Sequence, residues 1–454
     1  MTAKRQMKLG MSMRGLGYHA AAWRHPGVPA DGTLRFEHYV RNAQTAERGL
    51  FDMIFFADGI GIREKDEPRG SLERSGYEIV EMEPMTLLPA LAALTSRIGL
   101  VTTASTTYNE PYHIARKFAT LDLISGGRAG WNIVTSWSDA EARNFNRAKH
   151  LDYDTRYERA VEFVEVVTGL WDSWEPDAFV YDKAHSVFYN PGKMHLLEHR
   201  GVHFQVLGPL NVASMPQGRP ILVQAGASEP GREIAARSAD VVYAAQDTIA
   251  AARAYYGDVK GRMAKYGRER DDLKIMPALR PVVGRTRAEA QAKFDELQAL
   301  VDPLVGLARV YNELGDLSGF PLDGPVPEPQ IEAQVRSGVA RIMARVRANN
   351  WTIRELCQQQ VGAGGFCVIG TATDIADVME DWIDTGAADG FNITPTHLPA
   401  GCEDFVELVT PELQRRGRLR TAYEGATLRE NLGLKPHVNR YVAAREGAAR
   451  SAAE

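Results

Sequence analysis

The chain of 454 residues is long enough for one large α/β domain or two to three ordinary ones, and its 44% hydrophobic content supports a sizeable core. A formal charge of -5, with no long basic run at either terminus, excludes the electrostatic footprint of a nucleic-acid or anionic-membrane binder. Three cysteines without C-x-x-C spacing argue against a disulfide framework or a thiolate metal site and imply a reducing compartment. The start MTAKRQMKLGMSM lacks an apolar h-region, and no apolar run reaches the ~18 residues of a membrane span, so a cytoplasmic protein is expected.

Short β-rich runs alternate with amphipathic stretches, the pattern of βα units around a parallel sheet. MKLGMSM from Met7 reads as the first strand, with a helix begun near Thr33 and continued by Ala43, Ala46 and Leu50. FDMIFFA from Phe51 is the second, and Met85, Leu88, Leu91, Ala92 and Leu94 form a helical face that ends at Ser96. After IGLVTTAS from Ile98, Asn109 is placed to cap a helix with Pro111 in its first turn and Ile114, Phe118 and Leu121 on its inner side. Gly126 and Gly127 stop that helix and lead into the fourth strand, GWNIVTS from Gly130. Tyr157, Ala160, Val161, Val164, Val167 and Trp171 trace a longer helix, after which PILVQAG from Pro220, VVYAA from Val241, IMPALRPVV from Ile275 and GFNITP from Gly390 complete eight strands. Eight strands of this kind predict a TIM-like (β/α)8 barrel.

Two regions break the rhythm. Residues 174–219 are rich in Pro, Gly, Tyr and His, with strand-like pieces around Phe179 and Phe204. Residues 302–365 hold helical stretches separated by PLDGPVPEP and end in VGAGGF, where the glycines around Gly364 read as a turn. Loops of this length are lids or added subdomains. The expectation is one barrel domain over residues 1–454, with insertions at about 174–219 and 302–365, a C-terminal tail at about 418–454 and a frayed Ala-rich end.

A barrel carries its active site at the C-terminal ends of its strands. Those ends offer His19, Trp23, Arg24 and His25; Asp58; Thr102, Thr103, Ser105 and Thr106; Asn132, Thr135 and Ser136; Gln224, Gly226 and Ser228; and Thr394, Thr396 and His397. The set has too few clustered acids for a glycosidase pair and no H-x-H or H-E-x-x-H element for a metal. It suits a polar organic cofactor. In QAGASEPGRE, Gly226 permits close backbone approach and Ser228 stands where a helix begins, so the stretch is a phosphate seat or simply an N-cap. Tyr153 and Tyr157 lie one helical turn apart with Arg156 beside them, a grip for a phosphate or ring edge, or helix-start packing. GLGYHA is followed by WRHP and not by a helix, so it is not a dinucleotide fingerprint.

FFADG, TTASTTYNEPYHIARKFATLDLISGGRAGWNIVTSW, DTRYERAVEFVEVVTGLW, QAGASEPGREIAARSADVVY and DGFNITPTHLP with the tail PELQRRGRLRTAYEGATLRENLGL follow one another in order. Together they resemble the flavin-dependent monooxygenases of the nitrilotriacetate monooxygenase group, in the bacterial-luciferase-like superfamily. That group also includes dibenzothiophene sulfone, EDTA, long-chain alkane and dimethyl sulfide monooxygenases. The resemblance implies a barrel of the bacterial luciferase type and a two-component system. In it, reduced FMN (FMNH2) comes from a separate NAD(P)H:flavin oxidoreductase, and O2 reacts at flavin C4a to give a peroxide that oxidises a small organic substrate. It further implies flavin contacts at Asp58, Thr103, Tyr153, Tyr157 and Ser228, with Tyr153 standing where the group often has histidine. His19, Trp23 and Arg24 match its first βα loop and fall on the substrate side, His19 as the residue that orients or protonates the oxygen adduct. Relatives suggest a homodimer or homotetramer, and no metal is implied. A deazaflavin-dependent oxidoreductase of the same superfamily and a non-catalytic flavin-binding protein are the alternatives.

Overall fold

Eight parallel strands close into a barrel in the computed structural model, which describes residues 5–74, 80–328, 336–362 and 365–451. They are β1 Lys8–Ser12, β2 Met53–Phe56, β3 Gly99–Ser105, β4 Ala129–Val134, β5 Ile221–Gln224, β6 Val241–Ala244, β7 Lys274–Val283 and β8 Gly390–Ile393. Each pairs with its neighbour in sequence, and β8 closes on β1 from Lys8↔Gly390 to Met11↔Ile393. All eight lie where the apolar runs predict them. A ninth strand, Cys367–Gly370, had no expectation attached to it and pairs with the outer half of β7, from Arg280↔Cys367 to Val283↔Gly370. At ten residues β7 outruns the barrel, and this short strand takes the edge it leaves.

Alternation along the strands sorts their side chains into two cores. In β2, Met53 and Phe55 point inward to join Val101, Ile221, Val223, Val241 and Met276 in the lumen. Ile54 and Phe56 point outward against the helical layer. That layer begins with α1 Phe36–Arg48, α2 Pro84–Leu94, α3 Pro111–Ser125 and α4 Tyr153–Trp171. The first starts later than Thr33, because Gly32–Leu34 is a separate 3-10 turn and Arg35 is extended, and Leu50 lies beyond its end at φ 58°. Asn109 does not cap α3. Its Nδ2 donates to the Ser105 carbonyl at 2.9 Å, which leaves Glu110 as the N-cap residue. At the other end Gly126 takes the left-handed conformation, φ 69°.

Between α4 and β5 the chain forms two small antiparallel pairs, Phe179–Asp182 with Val187–Tyr189 and His199–Arg200 with Gln205–Val206. The outer layer continues with α5 Glu229–Ser238, α6 Ile249–Arg262 and α7 Arg287–Ala299. Helices Pro303–Leu314, Arg336–Asn349 and Ile353–Val361 follow before the ninth strand. Gly364 lies outside the described residues. The Ala-rich end is helical over Arg440–Ser451 instead of frayed, with residues 452–454 outside the description. Among the described residues no helix is long and apolar enough to cross a membrane.

The tail closes the bottom of the barrel. Leu428, Leu432 and Leu434 complete the lumen core from below, and the Leu428 N–H donates to the Gly127 carbonyl at 2.9 Å. Gly99 must lack a side chain here, since its Cβ would lie 2.5 Å from Leu428 Cδ1. Charged pairs ring this plug: Arg420 binds Asp52, whose other oxygen accepts the Leu9 N–H at 2.7 Å, and Arg429 binds Asp240 at 3.3 Å. Arg420 and Asp52 are 6% and 0% exposed, so removing either partner strands a buried charge. Arg420→Ala is expected to lower stability by about 3 kcal/mol in urea denaturation, and Asp52→Asn in the same chain to restore part of the loss.

Candidate functional site

The lumen changes character towards the C-terminal mouth. Thr103 Oγ1 donates to the Phe56 carbonyl at 3.0 Å and accepts from Asn132 Nδ2 at 2.8 Å, which fixes the orientation of the Asn132 amide and leaves its Oδ1 buried without a partner. Tyr243 Oη and Asn392 Oδ1 are likewise buried and unpartnered, and both crowd Gly10, whose Cβ would fall 2.8 and 3.3 Å from them. A polar layer with unused hydrogen-bonding capacity therefore lies across the lumen above the apolar floor. Buried groups of this kind are rare and mark places that take up water or a ligand.

On one side of the mouth, three segments converge on a hydroxyl pair. Asp152 accepts the Thr155 N–H at 3.0 Å and so starts α4 at Tyr153, which puts Tyr153 and Tyr157 one turn apart with ring centroids 4.8 Å apart. Ser228 is the N-cap of α5, accepting the Gly231 N–H at 3.4 Å, and its Oγ also meets Tyr157 Oη at 2.9 Å. Of the two readings of Ser228, the N-cap is the one this geometry shows. Gly226 makes the turn possible, because a Cβ there would lie 3.2 Å from Gly231 Cα. Arg156 stands over both tyrosine rings, 5.2 and 5.6 Å from their centroids, and its Nη1 donates to the Ser136 carbonyl at 2.7 Å. Ser136 takes φ 55° and gives its hydroxyl proton to Ser105 Oγ at 2.9 Å, which ties the ends of β3 and β4 to the same corner. Arg156 Nε is buried without a partner, a free donor beside the hydroxyl pair.

Asp58, half-buried past the end of β2, is pushed up to about 6 by burial and then by the nearby carboxylates Glu83 and Glu141. Across the mouth, His19 follows β1 and is 1% exposed. Its Nδ1 accepts the Ala21 N–H at 3.1 Å, so its proton sits on Nε2, which donates to Gln298 Oε1 at 3.4 Å. Burial holds it down at about 4, leaving a neutral ring with both nitrogens committed. Gln298, on α7, carries no motif and sequence reasoning missed it. Trp23 is half-buried against Leu16, Ala22 and Val28, while Arg24 is exposed and donates to the Leu300 carbonyl at 2.6 Å. The structure thus ties the His19–Arg24 loop to residues 298–300, places Asp58 after β2 and Thr103 within β3, and brings Tyr153, Tyr157 and Ser228 together where α4 and α5 begin.

His397 carries more than its place at the end of β8 suggests. Its ring centroid lies 4.5 Å from that of His25, its Nδ1 sits 3.1 Å from Thr396 Oγ1, and burial, with His25 and His19 nearby, holds it down at about 4. The His19 N–H donates to the Thr396 carbonyl at 2.9 Å, so three imidazoles gather where β8 meets β1.

Residues 16–389 match the family described as luciferase-like monooxygenase. The chain is 48% identical to N-acetyl-S-(2-succino)cysteine monooxygenase of Bacillus subtilis, over 96% of this chain and 99% of that one. It is 47% identical to nitrilotriacetate monooxygenase component A of Aminobacter aminovorans, over 96% and 98%. Its fold superposes on a riboflavin lyase solved with modified FMN and riboflavin, with a TM-score of 0.81, 29% identity, and coverage of 97% of this chain and 99% of that one.

His19 and His397 carry a pH signature. In the unfolded chain they bind a proton near pH 6.5, in the fold only at about 4, so the unfolded state gains protons first and their contribution to stability falls as pH falls between these values. Asp58, raised to about 6, works oppositely, favouring the fold as pH falls. His397→Asn removes one imidazole and leaves Asp58, so the stability of the wild type relative to this variant is expected to drop by about 2 kcal/mol between pH 7 and 4.5, read from urea melts at the two pH values.

Proposed function

Because the chain belongs to the luciferase-like monooxygenase family, we propose that it is the oxygenase component of a two-component system that uses reduced FMN and O2 to oxidise a small organic acid. Reduced FMN, delivered by a separate NAD(P)H:flavin oxidoreductase, supplies the two electrons that let one oxygen atom enter the substrate while the other leaves as water. The observation that carries this reading is the Tyr157–Ser228 hydroxyl pair at the N-terminus of α5, in the mouth of a barrel similar along its length to named monooxygenases.

In this reading Ser228, Tyr157 and Arg156 hold the phosphate at the N-terminus of α5, where hydroxyls, a guanidinium and the helix dipole act together. Tyr153 forms the wall beside it; a phenol there hydrogen-bonds without the charge change that imidazole would bring near neutral pH. Thr103 and Asp58 face the ring, and Asp58, titrating at about 6, holds or releases a proton at its carboxyl close to neutral pH. His19, neutral and clamped by Gln298 and the Ala21 N–H, orients groups at the substrate side and does not donate a proton from a charged ring. Trp23 and Arg24 belong to the same loop and shape the substrate side.

The substrates named for the two relatives carry several carboxylates, with carbon next to sulfur or nitrogen. Small polycarboxylates of this kind are therefore the first substrates to screen. The same reading takes the chain as one barrel domain with insertions at about 174–219 and 302–365 and a tail from about 418, working in the cytoplasm as a homodimer or homotetramer.

Anaerobic titration with reduced FMN tests the cofactor assignment: Ser228→Ala is expected to weaken binding about tenfold and Tyr157→Phe several-fold, the cost of hydrogen bonds to a charged group. With a flavin reductase, NADH and FMN, product from a polycarboxylate should require O2. Failure to bind reduced FMN, or preference for a reduced deazaflavin, would discard the reading. Asp58→Asn is expected to remove a limb near pH 6 from the pH dependence of turnover.

A further inference from the structure

The third helix between α7 and the ninth strand, Ile353–Val361, ends on Gly362. A glycine past the end of a helix ordinarily serves a left-handed turn, but here φ is -109° and ψ -55°, a backbone open to any residue. The reason for glycine is room. A Cβ at 362 would lie 2.5 Å from Gln298 Oε1 and 2.6 Å from His19 Nε2, the two atoms that meet at 3.4 Å in the clamp on the imidazole. Both distances are far inside van der Waals contact, so a side chain here would part the pair or displace the ring.

The helix end is fastened around this clamp. The Ala20 N–H donates to the Val361 carbonyl at 3.4 Å, and Arg280 Nη1, reaching from β7, donates to the Gly362 carbonyl at 2.7 Å. Gln358 Nε2 donates to the Gln298 carbonyl at 3.4 Å, while Ala20, Val305 and Val361 pack together as a small apolar cluster. Gly362 is thus held against the imidazole. Gln298 and His19 are both buried, so an acceptor taken from the His19 Nε2–H is not readily replaced by water.

We propose that Gln298 and Gly362 are positioning residues for His19: the bare α-carbon at 362 leaves the gap in which Gln298 Oε1 receives the His19 Nε2–H, so the end of helix Ile353–Val361 sets the direction of the imidazole. The two bonds to the ring differ in what they anchor it to. The Ala21 N–H belongs to the ring's own loop and moves with it, whereas Gln298 stands on α7 and ties the ring to the barrel. The charged and titratable neighbours of the ring are Arg280 of β7 and His397 after β8, with His25 stacked on the latter. The inference rests on the reading above that puts His19 on the substrate side, and deepens it by naming what holds it there.

NMR titration of the full chain, labelled with 15N in its histidine rings and with His19→Asn to assign the signal, tests the contact. Gln298→Glu puts a carboxylate at the amide position and is expected to raise the pH at which His19 titrates by about one to three units. Adding Gly362→Ala is expected to cancel most of that rise, because the methyl group holds the carboxylate off the ring. Urea melts provide a second measure: Gly362→Ala is expected to destabilise the wild type more than it destabilises Gln298→Ala, where the missing amide makes room. In turnover of 2,2′-thiodiacetate, a small thioether dicarboxylate, Gly362→Ala and His19→Ala are each expected to lower kcat about tenfold or more, with reduced-FMN binding unchanged. No rise with Gln298→Glu, an equal rise with and without Gly362→Ala, or equal destabilisation in the two backgrounds would overturn the proposal. Full turnover by His19→Ala would overturn it together with the role given to His19. The titration needs no substrate and so rules on the contact even where thiodiacetate is not oxidised, an outcome that counts against the substrate class alone.

Discussion

The pairing of β8 with β1 is the contact on which the rest of the arrangement depends. It joins the two ends of the chain, Gly10 to Asn392 and Met11 to Ile393, and turns eight βα units into a closed lumen. Because the strands are parallel, closure also brings their loops to one rim. The Thr396 carbonyl can then accept the His19 N–H, and the His25 and His397 rings can meet. Without that register His19 and His397 would belong to opposite ends of the chain, and neither would have the burial that keeps it neutral.

The lumen is graded from bottom to top. Leucines from the tail and aliphatic residues from the strands fill its lower part, while Thr103, Asn132, Tyr243 and Asn392 occupy the level beneath the mouth. This gradient separates the work of the two ends. The bottom gathers buried ion pairs, Arg420 with Asp52 and Arg429 with Asp240, although Arg429 Nε has no partner there. The top leaves donors and acceptors without protein partners, among them Arg156 Nε and Asn132 Oδ1.

How much of this could be read beforehand depends on how local each signal is. The eight strands were legible because each is a short apolar run bounded by turn residues, whereas Cys367–Gly370 follows a glycine-rich stretch and exists to serve the overlong β7. Asn109 satisfied every local rule for a cap, yet Ser105 offered its side chain a carbonyl that no sequence rule foresees. Tyr157 and Ser228 each had a plain structural reading. Only their 2.9 Å contact makes one site of two positions seventy-one apart in the chain. The clamp on His19 was the least legible, since Gln298 sits on a helix after β7 and meets the imidazole only because the barrel has closed.

The leucine plug also bears on how the protein is made. Leu428 and Leu432 sit under strands that leave the ribosome early, β2 and β3 among them, so the first half of the barrel is translated long before its floor exists. During that interval the lumen sides of Met53, Phe55 and Val101 have no cover from below. Such exposure invites aggregation or chaperone capture in slow-forming parallel sheets. A message truncated even thirty codons short would yield a chain with every loop of the mouth and no floor, which makes the tail a checkpoint on barrel formation as well as a structural element.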